Sequence, residues 1–171
     1  MADLEAWLSA AAVPPPYVLV GHSLGGHVVR AFAAAHRADV AGLVLVDVRH
    51  EELYAKLPDT FLARLAEWSP RDTEQACHAD ELVRGLGGLK GLPVSVITHG
   101  RADWIPDEFG LSPEDRDRAE HEWQRSQLDL AARFGQSTVH VARDSGHVIP
   151  VEQPEMVVRE VVSILGRRTA P

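Results

Sequence analysis

Sulfur is scarce in this sequence, and positive charge is outweighed by negative. Cys77 is the only cysteine among the 171 residues, which excludes an internal disulfide or a multi-cysteine metal site and leaves a buried or inert thiol as the expectation. Only 17 Lys and Arg oppose 25 Asp and Glu, a formal net charge of −8. No basic cluster interrupts the excess, so nucleic acid and anionic membrane surfaces are excluded as main partners. No apolar run reaches the length of a membrane span. The start, Met1-Ala2-Asp3-Leu4-Glu5, lacks the positive and apolar regions of a secretory leader, so a cytoplasmic location is expected. No pair of histidines has a zinc-type helical spacing with a third ligand nearby, and neither metal nor cofactor is expected. Repeats, low-complexity segments and domain linkers are missing too, which leaves one domain over 1–171.

What the chain does have is a polar turn wedged between an apolar run and a helical pattern. Tyr17 to Val20 follows Pro14, Pro15 and Pro16, residues that cannot continue a helix, and reads as a buried strand. Beyond the turn Val28, Val29, Phe32 and Ala33 recur at helical spacing, with Arg30 and Arg37 off that face. Between them, Gly21-His22-Ser23-Leu24-Gly25 fits G-x-S-x-G. In that motif the serine sits on a strained strand-to-helix turn and the glycines let the two elements approach closely. Such a turn presents the Ser23 hydroxyl outward and sets it at a helix N-terminus, where the Leu24 N–H can donate to a developing negative oxygen.

The alternation repeats along the chain. Gly42 to Asp47, Pro93 to His99 and Thr138 to Ala142 read as three further strands. Ser69-Pro70-Arg71-Asp72 and Ser112-Pro113-Glu114-Asp115 each supply an N-cap serine, a proline at the first helical position and an acid beyond it. The second opens a long helix to about Phe134, with Gly135 as its stop. Strands alternating with helices predict an α/β architecture, a mainly parallel sheet with helices on both faces. Chemistry in such a sheet collects at the carboxyl ends of the strands. There the chain places Ser23, Asp47, then His99 to Asp103, and last Asp144-Ser145-Gly146-His147. One edge therefore gathers a serine, two acids and a histidine, in the order nucleophile, acid, base.

These motifs resemble the C-terminal part of an α/β-hydrolase fold enzyme, from the helix before the nucleophile turn onward. Similar proteins carry a nucleophile elbow, matched by Gly21 to Gly25; a Gly-x-x-Asp after a later strand, matched by Gly100 to Asp103; and a Gly-His after the last strand, matched by Gly146-His147. The Gln153-Pro154-Glu155 start of the terminal helix is also family-like, and the resemblance runs from Tyr17 to Leu165. It implies Ser23 as nucleophile, His147 as its base and Asp103 as the acid, with Leu24 as an oxyanion donor. Asp47, at the end of the preceding strand, is the alternative acid, because some similar hydrolases place theirs there. His22, His27, His36 and His140 are assigned structural or surface roles, and His50 and His99 none.

The implied activity is hydrolysis of a small ester or related acyl compound through an acyl-enzyme, acting on a small molecule without a cofactor. Residues 48–91 fall where related enzymes insert a cap, and Leu57 to Trp68 are rich in Leu, Phe and Trp. The departure is at the front. Relatives have several strands before the elbow, one of whose loops gives the second oxyanion N–H, whereas here Met1 to Ala12 reads as a helix and only residues 1–16 precede the first strand. A partial fold lacking the N-terminal strands is therefore expected, in a chain that is either a fragment or short by nature. Its exposed sheet edge invites self-association, and the alternative function is a catalytically silent domain that binds a ligand or partner.

Overall fold

The computed structural model describes residues 2–87 and 89–167, without the side chains of residues 71–73, 75 and 76. Those of Arg71 and Asp72 in the first capping motif lie outside the described residues. Four strands, β1 (Tyr17–His22), β2 (Val40–Val46), β3 (Val94–His99) and β4 (Ser137–Ala142), form one parallel sheet in the order β1-β2-β3-β4. The connections carry α1 (Ala2–Ala10) before β1, α2 (Gly25–Ala35) after it, α3 (Asp59–Trp68) and α4 (Pro70–Val83) between β2 and β3, and α5 (Pro113–Ala132) between β3 and β4. After β4 come α6 (Ile149–Glu152) and α7 (Pro154–Gly166).

Every residue of β2 is buried, as a central parallel strand covered on both faces requires. Its side chains divide with period two. Leu43 and Leu45 join Leu19, Val29, Phe32, Val96 and Leu130 on one face, while Val44 and Val46 join Ile97, Ile149 and Ile164 on the other. Helices α2 and α5 thus cover one face, and α6 and α7 the other. Ser95, on the second face of β3, is buried without cost to its hydroxyl because it donates to Glu160 of α7 at 3.0 Å.

The long helix starts as its sequence dictates: Ser112 Oγ accepts the Asp115 N–H at 3.1 Å, Pro113 is first in the helix, and Gly135 follows the end at φ +74°. Two expectations fail. Val28 is 40% exposed while Arg30 is buried, because α2 packs on α4 and on the segment after β2 as well as on the sheet. There Glu51 meets the Arg30 guanidinium through both carboxylate oxygens, at 2.9 and 3.1 Å, which supplies the partner a buried guanidinium needs. Cys77 is exposed rather than buried; it lies on α4.

A third apolar cluster lies above the carboxyl ends of the strands. Leu53, Leu57 and Phe61, from the connection after β2, pack on Ile105, Phe109 and Trp123. The segment that reads as a cap therefore meets the β3–α5 connection and α5. No described helix is long and apolar enough to cross a membrane.

Candidate active site

Ser23 occupies the turn between β1 and α2 at φ 53°, in the left-handed region. A serine pays strain there that the surroundings must over-determine. Ser23 N–H donates to Val46 O at 3.1 Å, and Ser23 O accepts from Gly26 and Arg49. Gly21 is required for steric reasons, since a Cβ there would lie 2.7 Å from Val29 and 2.9 Å from the Gly25 carbonyl; after the serine it is Gly26, where a Cβ would lie 2.4 Å from Val48, and not the motif's Gly25, which has open space around it, that lets the elements approach. The sharp turn leaves the hydroxyl facing His147, whose Nε2 is 3.1 Å from Ser23 Oγ.

The other nitrogen of His147 meets Asp47, one of the two aspartates that the sequence offers. His147 Nδ1 is 2.7 Å from Asp47 Oδ2. Asp103, the acid preferred on motif fit, is not brought to the histidine. Its carboxylate takes the Arg101 guanidinium at 3.1 Å, its side chain is half exposed, and Arg101 in turn reaches Glu152 at 2.9 Å. The cause is local. Gly100 and Arg101 both donate backbone N–H groups to Ser145 O, and Asp103 N–H turns back to Arg101 O. The Asp103 carboxylate is thereby laid over Gly146, where any Cβ would collide with it. The Asp103 carboxylate thus lies against Gly146 and pairs with Arg101 instead of meeting the His147 ring.

Asp47 is the first residue after β2, fully buried and at φ 45°. Besides His147, its carboxylate accepts from His99 Nδ1 at 2.8 Å, Trp123 Nε1 at 3.0 Å, the His99 N–H at 3.1 Å and the Thr98 hydroxyl at 3.3 Å. Burial alone would raise its pKa, but the bonds from His147, His99 and Trp123 outweigh it and hold the carboxyl far below the ordinary carboxylate range. A carboxylate so clamped is fixed in both charge and orientation. The signal for it was present in the sequence: an acid directly after the wholly apolar run Val44-Leu45-Val46 must find partners if that run is a central strand.

Two histidines left without a site role turn out to touch this centre. His22 Nε2 bonds His147 O at 2.8 Å, which fixes the loop carrying His147. His99 lies between Asp47 and Glu120 of α5. His50, by contrast, is buried away from it. Its Nδ1 accepts the Glu52 N–H at 3.1 Å, so the ring is neutral on that side, and burial pushes its pKa down to about 4. Among the described residues no group of three or more His, Cys, Asp or Glu is arranged to hold a metal ion.

A cavity of about 310 Å³ opens over Ser23 and His147, walled by Leu57, Phe61, Trp104 and Trp123. Trp104 and Trp123 lie with ring centres 4.6 Å apart and planes tilted by 38°, and Trp123 stands edge-on to His147 at 5.6 Å. The arrangement is a hydroxyl, an imidazole able to take its proton, and a carboxylate fixing that imidazole, at the mouth of an apolar, aromatic cavity. Leu24 is the N-cap of α2, so its N–H stands at the helix N-terminus, where N–H groups lack the partner four residues back that interior ones have.

No protein-family model matches the chain. It is 26% identical to the uncharacterized protein YqjL of Bacillus subtilis over 91% of its own length and 59% of that protein. It is 36% identical to the probable transporter efuK of Hormonema carpetanum over 93% of its length, but over 30% of that protein. The chain thus spans well under two thirds of the curated relatives it matches. Among solved structures, a probable hydrolytic enzyme from Pseudomonas aeruginosa PAO1 superposes with a TM-score of 0.62 at 17% identity, over 96% of this chain and 67% of that one. Other matching structures include esterases and further hydrolases, at TM-scores of 0.51 to 0.54. Four parallel strands in sequential order, the turn at Ser23 and these superpositions together establish that the chain has the α/β-hydrolase fold, matched over about two thirds of the length of those neighbours.

Proposed function

We propose that the chain is a serine hydrolase that cleaves esters of apolar acids through an acyl-enzyme, with Ser23 as nucleophile, His147 as general base and acid, and Asp47 as the orienting carboxylate. The observation that carries the reading is the single imidazole bonded to Ser23 Oγ on one side and to a buried carboxylate on the other, at 3.1 and 2.7 Å.

The steps follow from that geometry. His147 Nε2 takes the Ser23 proton as Oγ forms a bond to the ester carbon, and the carbonyl pair moves onto oxygen, toward the Leu24 N–H and the N-terminus of α2. Asp47 stabilises the imidazolium this creates. The oxyanion then collapses, the ester C–O bond breaks, and His147 returns its proton to the leaving alkoxide. Water, deprotonated by the same nitrogen, displaces the acyl group, and Ser23 recovers its proton from His147. The aromatic wall would take the acyl group and exclude water, the role proposed for the segment between β2 and β3 as a cap.

A fluorophosphonate probe should label Ser23, and Ser23→Ala or His147→Ala should abolish labelling. Among p-nitrophenyl esters, each added acyl methylene should raise kcat/KM about fourfold until the cavity is filled, from about 0.8 kcal/mol per buried methylene. Labelling that survives Ser23→Ala overturns the assignment. Absence of any labelling in the parent chain would favour the silent, ligand-binding alternative.

A further inference from the structure

Behind the triad proposed above sits a second histidine that the reaction scheme does not use. His99 ends β3, is fully buried, and has a carboxylate at each ring nitrogen: Asp47 Oδ2 at 2.8 Å from Nδ1, and both Glu120 oxygens at 3.1 Å from Nε2. Ionised carboxylates only accept, so both nitrogens must donate and the ring carries a positive charge. The charged groups facing it are Asp47 at the end of β2, Glu120 on α5 and, across the shared Asp47 oxygen, His147 in the β4–α6 connection. Glu120 is itself held: it accepts from Trp104 Nε1 at 2.7 Å and Gln124 Nε2 at 2.8 Å. Burial lowers the pKa of His99, but the bonds to the two carboxylates outweigh it and raise it to about 9.

His99 and His147 therefore compete for one oxygen. A lone carboxylate would lend its whole negative charge to an imidazolium at His147. Here the cluster of Asp47, His99 and Glu120 has the same net charge of −1, but its uncompensated part lies at Glu120, on the far side of His99. We propose that His99 is a positioning residue: wedged between Asp47 and Glu120, it locks the carboxylate that orients His147 and partly neutralises it, extending Ser23-dependent activity to lower pH than a lone aspartate would allow. Through Glu120 and Trp104 the same chain of bonds ties the acid to the wall of the substrate cavity.

This inference rests on the Ser23–His147–Asp47 reading, and one experiment separates the two. The fluorophosphonate labelling rate is followed against pH in the parent chain, His99→Asn, Ser23→Ala and Asp47→Asn. Asparagine keeps a neutral donor near the position of Nδ1 and loses the charge and the reach to Glu120. In His99→Asn the acid limb should move to higher pH by about one unit, with a smaller loss of rate on the plateau. If labelling needs Ser23 and Asp47 but the limb stays in place while only Tm falls, His99 is merely structural and this proposal alone is overturned. Labelling independent of Ser23 overturns both. Should His99→Asn not fold, nitrogen NMR of the histidine-labelled parent chain decides: both ring nitrogens of His99 should be protonated from pH 6.5 to 8, and a neutral ring contradicts the proposal.

Discussion

The carboxyl ends of β2 and β3 each deliver an aspartate within reach of the loop that carries His147, yet the two environments differ in every physical respect. Asp47 follows directly on a strand buried along its whole length and has no exposure to water. Asp103 comes four residues after β3, is half exposed, and is paired with an arginine two positions before it. A solvated carboxylate with its own cation can point many ways at little cost. One clamped by an indole, two imidazoles, a hydroxyl and a backbone N–H has one orientation. A carboxylate at the end of the buried strand has its direction set by the sheet rather than by a loop.

The largest expected effect breaks this comparison directly. Asp47→Asn should lower turnover by about 10⁴-fold, because the amide cannot stabilise the imidazolium or hold the required tautomer. Asp103→Asn should stay within a few-fold of the parent. Reversed magnitudes would mean that His147 turns to the β3 loop when substrate binds.

A smaller effect separates buried from exposed charge through stability. His99, raised from an ordinary value near 6.5 to about 9, contributes stability that is complete below pH 6.5 and is lost as pH rises through 9. His50, lowered from 6.5 to about 4, contributes stability present above pH 6.5 and lost as pH falls through 4. Glu51, where the Arg30 bonds outweigh a burial effect that raises its pKa, drops from 4.5 to about 2 and adds a loss between those values. Unfolding midpoints in urea should therefore peak near pH 6.5, and His99→Asn should flatten the alkaline side. A stability that climbs steadily to pH 9 would refute the charged His99. The smallest effect is expected at Arg101→Ala, which removes the exposed pairs to Asp103 and Glu152 and should cost less than about 1 kcal/mol; a loss beyond that in urea titration would mean that the loop depends on them.

The four strands, the elbow and the long helix from Ser112 were legible because each rests on a short-range rule: apolar runs, glycine sterics and serine–proline helix starts. The pairing of His147 with Asp47 was not, because a motif such as Gly100 to Asp103 marks where a carboxylate commonly stands and carries no record of which partner it meets. Arg101 inside that motif was a hint that the charge was already matched. The burial of Arg30 and His99 was invisible for a related reason. Each depends on a carboxylate distant in sequence, Glu51 for one and Glu120 for the other, and hydrophobic periodicity counts such residues as surface.

The most direct test of the central claim is a crystal structure of the chain after reaction with a small phosphonate. The adduct should be on Ser23 Oγ, with the phosphoryl oxygen within hydrogen-bond reach of the Leu24 N–H and His147 Nδ1 still bonded to Asp47. An adduct elsewhere, or a His147 ring swung onto Asp103, would contradict the account.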